Sequence, residues 1–138
     1  MEQNFNKQFL EWRDIDDAIE KLVLNITSSE IKVVAVGGLP RGGLIPAVML
    51  SHRLQIPFVS QAQLQNVTGN ILIVDDICDS GKTLKQFKFE ENVYTATLHY
   101  KTTADYEPHF WWKIAPENEW IVYPWENKDS QTKPDYAT

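Results

Sequence analysis

Ile71-Leu72-Ile73-Val74-Asp75-Asp76-Ile77-Cys78-Asp79-Ser80-Gly81-Lys82-Thr83 is the most informative stretch of this chain. Its first four residues are apolar and mostly β-branched, which predicts a strand buried on both faces, as in a parallel sheet. The acids that follow then lie at the carboxyl end of that strand, where open α/β sheets bind ligands. Residues 79–83 predict a tight loop that opens a helix and offers backbone N–H groups to an anion. Carboxylates beside such amides indicate a site for a sugar phosphate.

The triplet Gly81-Lys82-Thr83 looks like the end of a nucleotide-binding P-loop, but the rest of that motif is missing. A P-loop has a glycine five residues before its Gly-Lys pair. Asp76 occupies that position in this chain. Because a carboxylate would repel a phosphate from the cradle, the sequence does not indicate a P-loop.

Length and composition are typical of one compact domain that spans residues 1–138. The chain is 43% hydrophobic and 23% charged, and it contains neither an internal repeat nor a linker. No apolar stretch approaches the roughly 18–20 residues of a membrane span, and no basic-then-apolar start predicts a signal peptide. A single cysteine, Cys78, excludes an internal disulfide and suits a reducing compartment. We therefore expect a cytoplasmic protein with no membrane partner.

The formal net charge of −6 argues against a nucleic-acid partner, whose binding surface would be basic. It also raises a physical problem, since an acidic protein that binds a phosphorylated sugar must hold a polyanion. Local amides, one or two placed cations and a divalent metal would be needed to do so.

The rest of the chain alternates strands, loops and helices, which is typical of an α/β domain with a mainly parallel sheet. Helices are predicted over residues 9–26, 44–54 and 81–89. Strands are predicted over residues 31–36, 56–60, 71–74, 93–100 and 120–123. Residues 61–70 are predicted to form a polar connection, and the residues after about 126 a polar, frayed tail.

The adjacent acids Asp75 and Asp76 are better explained by a ligand than by a helix start, which accounts for only one of them. Consecutive strand residues point to opposite faces, so both can serve one ligand if the chain leaves the sheet there. Adjacent ribose hydroxyls need two acceptors close together, and Mg²⁺ typically takes one or two carboxylates. Asp79 is either a helix N-cap or a general base, and the residues alone leave both open.

A second loop, residues 37–43, follows another buried strand with the sequence Gly-Gly-Leu-Pro-Arg-Gly-Gly. Its glycines allow a close backbone approach to an anion, and Arg41 is its one cation. Taken alone, the C-terminal tryptophans are predicted to fill the core and Lys101 to be a surface lysine. The three histidines show no metal-ligand spacing, and the acids around Cys78 raise the pKa of its thiol, so a nucleophile is not expected.

Residues 71–83 resemble the phosphoribosyl pyrophosphate (PRPP) signature of the type I phosphoribosyltransferases. Residues 38–43 are similar to the pyrophosphate-binding loop of that family. Residues 119–126, Glu-Trp-Ile-Val-Tyr-Pro-Trp-Glu, resemble the C-terminal hood of its bacterial xanthine-guanine branch. The likeness runs from about residue 11 to residue 126, as a core and a hood.

The resemblance implies transfer of a phosphoribosyl group from PRPP to a 6-oxopurine, with Mg²⁺, in a homodimer or homotetramer. Asp75 and Asp76 would hold the ribose hydroxyls, Asp76 would also bind the metal directly or through water, and Asp79 would be the acid/base residue at purine N7. The resemblance also implies a 5′-phosphate loop, formed by Asp79, Ser80, Gly81, Lys82 and Thr83. It implies a pyrophosphate loop, formed by Leu39, Pro40, Arg41 and Gly42. In the base site, Lys101 would bind the 6-oxo group, Trp120 would stack on the ring and Ile121 would lie beside it. Pro40–Arg41 falls where the family often has a cis peptide.

One segment departs from the family pattern. The family usually has a longer flexible loop, often with a cation, before the PRPP strand, whereas residues 61–70 contain neither lysine nor arginine. Two alternatives therefore stay open at this point: a non-catalytic relative that binds PRPP or a nucleotide, and an enzyme with a different acceptor. The sequence does not indicate which base is accepted.

Overall fold

The computed structural model describes residues 6–127, and the tail predicted after residue 126 lies almost wholly outside that range. In chain order the elements are β1 (Asn6–Phe9), α1 (Trp12–Ser28), β2 (Val33–Gly38), α2 (Leu44–Leu54), a 3₁₀ helix (Gln61–Asn66), β3 (Asn70–Cys78), α3 (Lys82–Lys85), β4 (Val93–Tyr100), β5 (Phe110–Ile114) and β6 (Glu119–Val122). Strands β2-β3-β4-β5 form a parallel four-stranded sheet, and β1 and β6 form a parallel pair. The predicted α/β class with a mainly parallel sheet is confirmed.

Helix α1 forms because its apolar residues recur every three or four positions and are buried together against the sheet. The helix begins at Trp12, three residues later than predicted. Glu11 precedes it and donates its N–H to the Asp14 carboxylate at 2.8 Å, while Phe9 belongs to β1. The predicted start at residue 9 was wrong because β1 is a polar strand whose pairing partner, β6, lies far along the chain.

The central strand β3 continues to Cys78, four residues beyond its predicted end. Apolar residues on its two faces fill two clusters, one under α1 and α2 and one under α3 and the loops around it. The ends of β3 and β4 lie at the same edge of the sheet, as the parallel pairing of Asp75 with Thr97 and of Cys78 with Tyr100 shows. This edge places the carboxylates and Lys101 near one another.

Other parts of the chain also differ from the prediction. The predicted strand 56–60 is a single bridge between Val36 and Phe58, and the connection 61–70 contains the 3₁₀ helix. The helix predicted over 81–89 is one turn, α3, followed by further turns. Strand β5 was not predicted, because its aromatic residues were assigned to the core without a strand. None of the helices between residues 6 and 127 has the length and hydrophobicity of a membrane-spanning segment.

Candidate active site

A cleft of about 580 Å³ opens at the carboxyl edge of the sheet. Its wall brings together two of the predicted loops and the acids of β3. Of the predicted site residues it contains Leu39, Pro40, Asp75, Asp76, Asp79, Ser80, Gly81, Lys82 and Thr83. Arg41 lies at the surface, and Gly42 is buried against the Asp76 carboxylate. The acidic motif and the glycine-rich loop, 32 or more residues apart in sequence, thus share one cavity.

Both adjacent acids reach this cleft because the strands change face beside them. In β3, Leu72, Val74 and Ile77 pack in the cluster under α1, whereas Ile71, Ile73 and Cys78 pack in the other cluster. Residues that face α1 therefore recur every second position up to Val74, but the next one, Ile77, comes three positions later. This departs from the normal alternation of a strand. The condition considered from the sequence, that the chain leaves the sheet at the two acids, is not met, since the chain remains paired with β4 through Cys78.

The two carboxylates bind the main chain of their own strand. Asp75 Oδ1 accepts the Asp76 N–H at 2.9 Å, and Asp76 Oδ1 accepts the Ile77 N–H at 2.8 Å. The Asp76 residue is only 5% exposed, and burial, followed by the charge of Asp75, raises the pKa of its carboxyl well above the usual range. A cation bound to the two carboxylates would offset both the loss of hydration on burial and the repulsion between the two charges.

Asp76→Asn is expected to stabilise the protein while it removes a proposed ligand contact. Because the folded-state pKa of Asp76 is raised, its charged form opposes folding as the pH rises toward neutrality. An asparagine keeps the acceptor for the Ile77 N–H but carries no charge, so we expect a gain of about 0.5–2 kcal/mol in the free energy of unfolding at pH 7. Urea denaturation of the metal-free protein measures it, and a loss of stability would contradict this account.

The glycine-rich loop packs its backbone directly on the end of β3. The Pro40–Arg41 peptide bond is cis, at the position where the family resemblance implies one. The Leu39 N–H donates to the Val74 carbonyl at 2.9 Å, and a Cβ at Gly42 would overlap the Asp76 carboxylate. These contacts leave no room for side chains between the loop and the acids, which explains the glycines here.

The loop that follows β3 turns sharply at Gly81, whose φ is +85°. Glycine is favoured there because other residues rarely adopt this conformation. Ser80 Oγ accepts the Lys82 N–H at 3.2 Å, and the Ser80 carbonyl accepts the Asp105 N–H at 2.9 Å. The side chains of Lys82 and Thr83 are exposed at the cleft, so the loop presents hydroxyls, amides and a cation to an anion.

Asp79 and Lys101 form an ion pair of 3.2 Å at the ends of β3 and β4. Lys101 is 7% exposed, and its Nζ also donates to the Glu117 carbonyl at 3.3 Å. The interpretation of Lys101 as a surface lysine, made from the residues alone, was therefore wrong. The pair places a hydrogen-bond acceptor and a hydrogen-bond donor side by side next to the cleft, which suits a heterocycle with a donor and an acceptor on one edge.

The hood residues Trp120 and Ile121 lie on opposite faces of β6. Trp120 is half-buried, pairs in register with Lys7, and has the Lys7 ammonium 4.8 Å from its ring centroid. The Ile121 side chain is fully buried in the core. Ile121 has no exposed atoms, main chain included, whereas Trp120 is partly exposed.

Two buried residues that sequence reasoning missed connect the hood to the cleft. The Tyr123 hydroxyl donates to the main-chain carbonyl of Asp76 at 3.1 Å and lies 2.8 Å from Nδ1 of His99. Burial, followed by the charge of Lys113, lowers the pKa of His99 to about 4, so the ring is neutral near pH 7. No local sequence signal marks this pair, although Tyr123 lies within the hood motif.

Cys78 is buried, and its thiol donates to the Tyr106 carbonyl at 3.2 Å. Burial, together with the charges of Asp75 and Asp79, raises the pKa of this thiol to about 12. A thiol that stays protonated is a poor nucleophile. The expectation of a raised thiol pKa is confirmed, although burial rather than the acids is its main cause.

Comparison with known proteins identifies the family. The chain is 31% identical to a xanthine-guanine phosphoribosyltransferase of Cereibacter sphaeroides, over 67% of this chain and 68% of that protein. The chain belongs to the purine phosphoribosyltransferases. Among solved structures, a purine phosphoribosyltransferase from Pyrococcus horikoshii superposes with a TM-score of 0.73 at 29% identity, covering 92% of this chain and 99% of that one. A xanthine-guanine-hypoxanthine phosphoribosyltransferase from Helicobacter pylori superposes with the same TM-score at 25% identity, covering 88% and 94%. No family model matches the chain.

The donor set of this phosphoribosyltransferase fits a magnesium ion shared with a substrate. Within residues 6–127, no group of three or more histidine, cysteine or acidic side chains is placed to hold a metal alone. Asp75 and Asp76 offer two carboxylates at the cleft, one of them buried beside a like charge. Mg²⁺ commonly binds one or two carboxylates and completes its shell with substrate phosphates and water. The pair therefore suits such an ion and not a protein-only metal cage.

Proposed function

We propose that this enzyme moves the 5-phosphoribosyl group of PRPP to a 6-oxopurine, namely xanthine, guanine or hypoxanthine, and releases pyrophosphate. The observation that supports the choice of base is the Asp79–Lys101 pair. A 6-oxopurine presents N7–H as a donor and O6 as an acceptor on the same edge of the ring system. Asp79 can accept from the first, and Lys101 can donate to the second. Adenine carries an amino group at the 6-position. That group and the Lys101 ammonium are both hydrogen-bond donors, so they could not bind each other.

The proposed roles of the other residues rest on the lining of the cleft and, for Arg41, Gly42, Trp120 and Ile121, on the family resemblance. Asp75 and Asp76 accept hydrogen bonds from the ribose hydroxyls, and the loop of residues 79–83 holds the 5′-phosphate. Leu39, Pro40, Arg41 and Gly42 form the pyrophosphate side, where the loop backbone approaches closely. Trp120 stacks on the base, with Ile121 beside it.

The chemistry places positive charge on the ribose and negative charge on the leaving pyrophosphate. The two carboxylates at the ribose stabilise the first, and Arg41 with the loop amides stabilises the second. Mg²⁺ bound at Asp76, directly or through water, would supply further charge stabilisation to the pyrophosphate. Asp79 takes the N7 proton as the base is ribosylated. This division also answers how an acidic protein holds a polyanion.

The direct test is product formation from PRPP and Mg²⁺ with xanthine, guanine, hypoxanthine or adenine, followed by chromatography of the monophosphates. We expect turnover of at least one 6-oxopurine and at least about 100-fold lower kcat/KM for adenine, because adenine would leave buried polar groups unpaired. Chelation of Mg²⁺ is expected to abolish turnover. Adenine turnover as fast as that of the 6-oxopurines would overturn the proposed base class, and Mg²⁺-dependent PRPP binding without turnover of any base would indicate a different acceptor.

The proposal includes a homodimer or homotetramer in the cytoplasm as a purine salvage enzyme. Several large apolar side chains are exposed on the described surface, including Phe89 at 88% and Leu24 at 63%, which is compatible with contacts between copies. Light scattering at assay concentration measures the oligomeric state, and a monomer that remains fully active would contradict this part.

A further inference from the structure

A hydrogen-bond chain runs from the interior of the protein to the main chain of Asp76. Its central member, Tyr123, is fully buried, and its hydroxyl donates to the Asp76 carbonyl at 3.1 Å. A phenol has one hydrogen, and the carbonyl can only accept, so that hydrogen is committed to Asp76. The Tyr123 oxygen must therefore accept from Nδ1–H of His99, 2.8 Å away. In this hydrogen-bond chain, His99 donates to Tyr123 and Tyr123 donates to the Asp76 carbonyl.

The neutral state of His99 suits this direction. Its ring is buried, packed edge-on to Trp112 at 5.5 Å and tilted against Tyr123 at 5.6 Å. Lys113 on β5, Asp14 on α1 and Glu119 on β6 line a cavity next to the ring, and Lys113 disfavours a second positive charge there. With Nδ1 protonated, His99 acts as a fixed donor to Tyr123.

This hydrogen-bond chain ends at Asp76, in the part of β3 where the alternation of side chains breaks down. Between Asp75 and Ile77 the side chains of β3 change face, and β4 changes face at the same level, since Leu98 and Tyr100 pack in different clusters. The N–H groups of Asp76 and Ile77 are each bonded to a carboxylate of the acidic pair. The Tyr123 hydroxyl binds this short segment from the C-terminal hood, in addition to the pairing with β4 and the packing of Gly42 on the Asp76 carboxylate. It binds the carbonyl of the peptide between Asp76 and Ile77, and the N–H of the same peptide donates to the Asp76 carboxylate.

We propose that Tyr123, held by His99, is a positioning residue that fixes the Asp75–Asp76 pair for PRPP and its metal. The inference rests on the proposed roles of these two acids. It assigns to the hood a second task, separate from contact with the base. Tyr123 itself touches no substrate, and its effect passes through the Asp76 main chain.

The test is Tyr123→Phe, which removes one oxygen and keeps the ring stacked on Trp125, with 5.0 Å between the ring centroids and 4° between the ring planes. The matched control is Tyr106→Phe. The Tyr106 hydroxyl also makes a partly buried hydrogen bond, to Thr95 Oγ1 at 2.8 Å, but this bond does not involve Asp76. We expect Tyr123→Phe to raise the KM for PRPP, and the Kd of PRPP with Mg²⁺ by calorimetry, about tenfold. The KM for the base is expected to change less than about twofold, since a positioning effect on PRPP leaves base binding intact. Tyr106→Phe is expected to leave both constants unchanged.

Two outcomes would overturn the proposal. One is a PRPP affinity of Tyr123→Phe equal to that of Tyr106→Phe, and the other is an equal loss of affinity for PRPP and the base, which indicates general loosening. If Tyr123→Phe does not fold, His99→Phe keeps the Tyr123 hydroxyl and a flat ring but removes the N–H that donates to it, and a smaller loss of PRPP affinity is expected. Calorimetry separates this inference from the proposed reaction: absence of turnover in the parent enzyme contradicts the reaction, while unchanged PRPP binding in the variants contradicts the positioning role.

Discussion

Asp79→Asn is expected to lower kcat for every accepted base by about 10²–10⁴, the usual contribution of a general acid or base. Asparagine has nearly the same shape, and its amide oxygen can still accept a hydrogen bond from Lys101, 3.2 Å away in the parent protein. It cannot take a proton from the purine N7. Because Asp79 would contribute only its backbone to the proposed 5′-phosphate loop of residues 79–83, and asparagine keeps that backbone, the KM for PRPP is expected to change less than about threefold.

The control for this variant is Asp105→Asn, which removes an acid close to the same loop. The Asp105 side chain is largely exposed and lies 4.0 Å from Lys85, outside the wall of the cleft. Steady-state kinetics with PRPP and a 6-oxopurine should show a normal rate for Asp105→Asn. A kcat for Asp79→Asn within a factor of about three of the parent value would contradict the proton-transfer role, since general base assistance contributes far more than that.

The parts of this fold that the sequence predicts are those with strong local patterns. An unbroken apolar run identifies β3, and regular three- and four-residue spacing identifies α1. Strand β1 has no such pattern, because all four of its residues are exposed and its pairing is with β6, more than 100 residues away. Such a strand exists only through long-range pairing, so its local sequence does not reveal it.

The residues of the candidate site also fall into those that a local motif predicts and those that only long-range contacts place. Asp75, Asp76 and Asp79 could be placed at a strand end because a short motif holds all three. Lys101 could be assigned only through the family resemblance, since its burial depends on Asp79 and on the Glu117 carbonyl, both distant in sequence. The change of face that brings both adjacent acids to the cleft involves two strands at once, so the sequence of β3 alone could not predict it.

Gly43→Ala is expected to destabilise the protein by about 1–3 kcal/mol, the usual cost of overpacking. The φ of Gly43 is −84°, which alanine readily adopts, so any cost comes from contact and not from backbone conformation. A Cβ there would overlap the Val74 carbonyl and lie 2.8 Å from the Leu39 carbonyl oxygen and 2.9 Å from the Asp75 Cα. All three neighbours are main-chain atoms, so none can rotate away.

The loop must instead move off the end of β3, carrying Leu39 and Pro40 away from the cleft and disturbing Asp75. We therefore expect a Tm lower by several degrees together with a higher KM for PRPP. Gly37→Ala is the matched control, because a Cβ at Gly37 would meet its nearest neighbours, Ile73 Cδ1 and the Val59 carbonyl oxygen, at an ordinary 3.4 Å. Thermal denaturation and PRPP kinetics of the two variants separate the effects. If Gly43→Ala matched Gly37→Ala in both, close backbone packing would not be what holds the pyrophosphate loop against the acidic strand end.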